Sequence, residues 1–111
     1  MSKRNPELLL KDILVAIEKI KTYTFELSYD DFSKDEKTID AVIRNFEVIG
    51  EAARQLPSEY KEQTPQIVWY KLIGFRNRIV HEYFGVDIGI IWQIIENQID
   101  ELRNELIDLV S

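Results

Sequence analysis

The chain has 111 residues, 45% of them apolar and 31% charged, with a formal net charge of −6 and no cysteine. This size supports one modest hydrophobic core and one domain over residues 1–111, and the composition is globular, not disordered. The missing cysteines exclude disulfides, thiolate metal sites and a cysteine nucleophile, and the acidic balance argues against a broad nucleic-acid footprint, so any such contact must be local.

In chain order, the first apolar run, Leu8 to Leu10, is cut by Lys11 and Asp12. It is therefore no signal-peptide core, and no later stretch reaches the length of a bilayer span. The expectation is a cytoplasmic protein in a reducing compartment. Asn5 as N-cap with Pro6 at the first helical position opens a first helix carrying Leu9, Leu10, Ile13, Ile17 and Ile20 on one face, to about Leu27. A polar loop follows. Ser33 with Glu36 forms the capping-box pattern of a second helix, with Ile39, Val42, Ile43, Phe46, Ile49 and Ala53 as its stripe and its end near Leu56, before Pro57. Ser58 to Gln63 reads as one short helical turn. Thr64 and Pro65 repeat the N-cap and first-turn signature for a third helix, which runs to about Tyr83 and stops at Gly85. Asp87 caps a fourth, with Ile91, Ile94, Ile95, Ile99, Leu102, Leu106 and Val110 inward. Four long amphipathic helices and a short fifth predict an all-α, up-and-down bundle.

The third helix breaks its own pattern. From Pro65 to His81 there are Lys71, Arg76 and Arg78 and no acidic residue, a local reversal of the overall charge. At roughly 100° per residue, Lys71, Gly74, Asn77, Arg78, His81 and Glu82 share a polar side, whereas Arg76 falls on the apolar face with Leu72, Phe75, Ile79 and Val80. A guanidinium placed there must find a carboxylate such as Glu47 or Glu51, reach a cleft, or sit at a subunit seam. His81, the single histidine, lies in the last turn, where the helix dipole already favours an imidazolium; its near-neutral pKa equally suits proton transfer. Asn77, one turn earlier, can hydrogen-bond the ring under either reading. One histidine beside Glu82 and Asp87 does not make a zinc site, and there is no Gly-rich phosphate loop and no Ser-His-Asp or Cys-His arrangement. Neither a metal nor a cofactor is expected.

Taken together, Arg76-Asn77-Arg78-Ile79-Val80-His81-Glu82-Tyr83 resembles the Arg-x4-His-x-Tyr signature of the HEPN superfamily, specifically its HepT-like toxins. Arg44-Asn45-Phe46-Glu47-Val48-Ile49-Gly50-Glu51-Ala52 looks like that family's second-helix segment. Trp69 upstream, with Phe84-Gly85-Val86-Asp87 and Trp92 downstream, falls where the family usually has them. One departure is Val68, where many relatives carry a proline before the tryptophan.

The resemblance implies a metal-independent endoribonuclease, the toxin of a toxin-antitoxin pair, whose antitoxin is a small nucleotidyltransferase that transfers AMP to the signature tyrosine, here Tyr83. The implied catalytic residues are Arg76 and His81, with Asn77 in support. Their chemistry fits: a guanidinium fork positions a phosphate and offsets charge built in the transition state, and an imidazole moves protons. Attack by the RNA's own 2′-hydroxyl needs a base and an acid, and one histidine supplies both only if a two-fold homodimer brings two copies to one cleft. Five residues separate Arg76 from His81, roughly 140° on an ideal helix, so convergence needs the long arginine side chain, a distorted helix end or the partner subunit. For Tyr83, one heptad after Arg76, core packing with the hydroxyl at the edge is the reading from residue type alone. The alternative function is a non-catalytic dimeric helical module that binds a nucleotide or a nucleotidyltransferase, which the net charge of −6 favours.

Overall fold

The computed structural model describes residues 5–74 and 88–110, and among them every regular element is a helix. Helix α1 spans Pro6–Thr24, α2 Tyr29–Lys34, α3 Glu36–Gln55, α4 Ser58–Gln63. The described part of α5 covers 69–74. Helices α6 and α7 follow over Ile88–Asn97 and Ile99–Val110.

α1 starts as its sequence dictates: the Asn5 side chain accepts a hydrogen bond from the Glu7 backbone N–H at 2.8 Å, and Pro6 occupies the first turn, where its missing N–H costs nothing. It ends three residues earlier than the apolar pattern suggests. The Thr24 hydroxyl bonds back to the Ile20 carbonyl at 2.8 Å, and Glu26 turns the chain with φ of 62°. The expected loop after Leu27 then holds α2. Ser28 and Asp31 form a reciprocal capping box there, each accepting from the other's backbone N–H. Ser33 does not cap α3. It lies inside α2, where its hydroxyl donates to the Asp30 carbonyl, and Asp35 caps α3 by accepting from the Thr38 backbone N–H at 3.1 Å and the Thr38 hydroxyl at 2.7 Å.

The core is built from the helix stripes. Leu9, Leu10, Ile13, Ala16, Ile17 and Ile20 of α1 are buried with Val42, Ile43, Phe46, Ile49 and Ala53 of α3, and these two long helices form the principal packing pair. Helix α7 closes over α1. Lys21 pairs with Asp100 and Glu18 with Arg103; numbers fall along α1 as they rise along α7, so the two helices run antiparallel. The expected fourth helix is interrupted at Gln98, although the backbone bonds from Gln98 N–H to the Ile94 carbonyl and from Leu102 N–H to the Gln98 carbonyl, both 3.0 Å, continue the helical pattern. Of its inward residues, Ile91, Ile94, Ile99 and Leu106 are buried, Ile95 and Leu102 are half-buried, and Val110 at the end is exposed. Asp87, the expected cap, lies outside the described residues. Among those described, no helix is long and apolar enough to cross a membrane.

Candidate functional site

Arg76, Asn77, His81 and Tyr83 lie outside the described residues, as do Glu82 and the rest of the expected third helix from residue 75 on. The structure defines the two helices that lead into and out of this stretch. α5 begins at residue 69, not after Thr64–Pro65. Thr64 instead ends α4, and its hydroxyl, donating to the Tyr60 carbonyl and accepting from the Trp69 indole N–H, both at 2.9 Å, is fully engaged. A turn closed by the Ile67 N–H on the Thr64 carbonyl at 3.1 Å separates the two helices.

Trp69 is 5% exposed and packs its ring against Tyr60, with centroids 6.3 Å apart. Burial, with the negative charge of Glu7 adding to it, raises the Tyr60 pKa above that of an ordinary phenol, so its hydroxyl stays neutral. Leu72, one turn on from Trp69, is buried too. These two side chains fix the rotation of the described part of α5. Downstream, α6 is held by Ile91 and Ile94 and by Trp92, whose ring lies 5.1 Å from Phe32 and 6.2 Å from Tyr29. The short helix α2, which hydrophobic periodicity alone did not reveal, therefore braces α6.

Of the two carboxylates considered as partners for Arg76, Glu47 lies 3.9 Å from Arg44 and Glu51 lies 2.9 Å from Arg54. Asn45, next to Arg44 on the same helix, is buried with its amide donating to the Ala41 carbonyl at 2.8 Å. That bond satisfies a polar group facing the core. A cleft of about 250 Å³ opens beside α5, between Gln66, Val68, Lys71 and Leu72 on one side and Gln98, Ile99, Glu101, Leu102 and Glu105 on the other. It carries one cationic and two anionic side chains, so it is no basic channel. Among the described residues no cluster of three or more histidine, cysteine or carboxylate side chains forms a metal site.

The described helices define a small all-α protein of the HEPN-like type. The family model for HepT-like ribonucleases, "Ribonuclease HepT-like", matches residues 13–109. The chain belongs to that family. It is 39% identical over 103 residues to the protein named "Probable ribonuclease HepT" of Thermococcus cleftensis, covering 93% of this chain and 94% of that one. It is 36% identical over its whole length to "Putative RNase MJ0127" of Methanocaldococcus jannaschii, covering 92% of that chain. The match to "Putative RNase TTE0752" of Caldanaerobacter subterraneus is 36% over 105 residues, 95% of this chain and 90% of that one. No solved structure matches the chain.

Proposed function

We propose that the protein is a metal-independent endoribonuclease acting in the cytoplasm as the toxin of a toxin-antitoxin pair, with residues 1–111 as one functional domain. The observation that carries the reading is membership of the HepT-like ribonuclease family over residues 13–109, together with an intact Arg76 and His81 inside the one basic stretch of an acidic chain.

Arg76 holds the scissile phosphate by its planar fork and offsets the charge that accumulates on the non-bridging oxygens. One His81 takes the proton of the 2′-hydroxyl, whose oxygen attacks phosphorus. A second His81, from the two-fold partner, gives a proton to the departing 5′-oxygen. The bond to the 5′-oxygen breaks as the 2′-oxygen bond forms, leaving a 2′,3′-cyclic phosphate and a free 5′-hydroxyl, and the reaction asks nothing of a metal. Asn77 orients the imidazole. The antitoxin, a small nucleotidyltransferase, transfers AMP to the Tyr83 hydroxyl. The bulk and negative charge added there oppose a substrate phosphate by occlusion and by repulsion.

The test is incubation of purified protein with RNA in excess chelator. Cleavage yielding 5′-hydroxyl ends is expected from the parent protein and not from His81→Ala or Arg76→Ala. Equal cleavage by the parent and His81→Ala sinks the acid-base assignment. A parent that binds a nucleotide or nucleotidyltransferase and leaves RNA intact supports the second reading, a non-catalytic dimeric module, which the net charge of −6 favours.

A further inference from the structure

We propose that the outward face of α1 is a seam between two copies of this chain, in which α1 of one protomer lies antiparallel to α1 of its partner with Val15 at the two-fold axis. The contact involves no RNA chemistry, so it stands or falls apart from the ribonuclease reading.

Helix α1 buries Leu9, Leu10, Ile13, Ala16, Ile17 and Ile20 in the core it shares with α3 and α7, and its remaining face meets solvent. Eight large apolar side chains are exposed among the described residues. The three on α1, Leu8 at 45%, Val15 at 53% and Tyr23 at 41%, all stand on that face. At roughly 100° per residue they share a strip about 80° wide with Asp12 and Lys19. Scattered singly, exposed apolar residues are ordinary. Here the steps from Leu8 through Asp12, Val15 and Lys19 to Tyr23 are four, three, four and four residues, the spacing by which one helix lies along another.

The charges on this face choose the occupant. Asp12 and Lys19 stand on one flank of Val15, Lys11 and Glu18 on the other, two cations and two anions. Such a face has no net sign with which to draw a nucleic acid or a strongly charged protein. Against a parallel copy each residue would oppose itself, lysine on lysine and carboxylate on carboxylate. Reversal about Val15 removes the conflict. A two-fold axis across the helices keeps each flank against the same flank of the other copy and opposes residues whose numbers sum to about 30. Asp12 then meets the partner's Lys19, Lys11 meets the partner's Glu18, and Leu8 meets the partner's Tyr23, each contact made twice. Asp12 and Glu18 also interact within their own chain, Glu18 with Arg103, and a carboxylate accepts several hydrogen bonds at once.

The chain has no cysteine, so Val15→Cys carries its only thiol, and helices packed along this seam bring facing Cα atoms within reach of a disulfide. On oxidation of the full chain it should form a covalent dimer faster than Lys37→Cys, an exposed control on α3; equal rates overturn the seam. Lys19→Glu and Asp12→Lys each set like charges opposite one another twice. Each should raise the dimer dissociation constant, read by analytical ultracentrifugation, at least about tenfold. Mixed in equal amounts, each variant supplies the charge that the other lacks, and a mixed dimer of near-parental affinity is expected. Variants that keep the parent's helical circular dichroism and stay apart when mixed overturn the proposal, as does a parent that is monomeric at every concentration. Association through α1 in a protein that leaves RNA uncut upholds the seam and removes only the ribonuclease reading.

Discussion

Thr64 uses one hydroxyl to end a helix and to orient the tryptophan that begins the next. Its Oγ1 is both donor to Tyr60 and acceptor from Trp69 in a buried setting. Thr64→Val keeps the volume and strands the indole N–H. The expected cost is about 1–3 kcal/mol, because a buried donor loses its partner without regaining water. Urea denaturation measures it. Adding Trp69→Phe should recover part of the loss, and strict additivity of the two substitutions would show that the bond is energetically silent. Tyr83 carries a different expectation. Co-expression with the cognate nucleotidyltransferase should add mass in units of AMP that maps to Tyr83, and Tyr83→Phe should stay unmodified and toxic; full neutralisation with an unmodified Tyr83 would mean inhibition by binding alone. Arg76, His81 and Tyr83 were named from residue type, spacing and resemblance, and they lie outside the described residues. The role of Thr64 was not legible, since a threonine before a proline has the same letters whether it starts one helix or finishes another.

At the scale of elements, the apolar stripes of α1 and α3 could be read directly from 3.6-residue periodicity, and the helix ends could not. Ser33 and Glu36 satisfy the capping-box formula better than Ser28 and Asp31 do, yet the structure uses the latter pair, and Asp35 takes the cap of α3. Short polar side chains compete for every nearby N–H, so sequence offers several caps and packing selects one; here the burial of Phe32 against Trp92 holds α2 in place. Asp35→Ala should therefore lower the melting temperature at neutral pH, and Ser33→Ala should change stability by less than about 0.5 kcal/mol. The pH dependence follows from the Asp35 carboxyl, which the Thr38 hydroxyl and then the Thr38 N–H hold below its ordinary value of 3.8. A depressed folded pKa means that the cap contributes fully above the unfolded value and loses its contribution as pH falls through the lower folded one. The melting temperatures of parent and Asp35→Ala should converge in that acid range. A gap that persists unchanged there would point to a role other than the charged cap.

For the whole molecule, the outstanding question is symmetry. Trp69 is buried within the chain by Tyr60 and Thr64, so it offers no apolar surface to a second copy. What supports two copies is the proton arithmetic, one histidine in the chain for a reaction that needs an acid and a base. Light scattering should give twice the chain mass, and a monomer at every concentration that supports cleavage would remove the shared-cleft mechanism. The bundle class and its inward faces were legible as a whole because they sum over many residues, whereas an interface is set by which few side chains remain outside. The chain's two tryptophans stand on either side of residues 75–87, Trp69 buried and hydrogen-bonded to a hydroxyl, Trp92 half-buried between Phe32 and Tyr29. Intrinsic emission is thus a label-free optical probe of both flanks. Trp69→Phe isolates the downstream fluorophore and Trp92→Phe the upstream one, so a change at either flank can be followed separately by colour and lifetime.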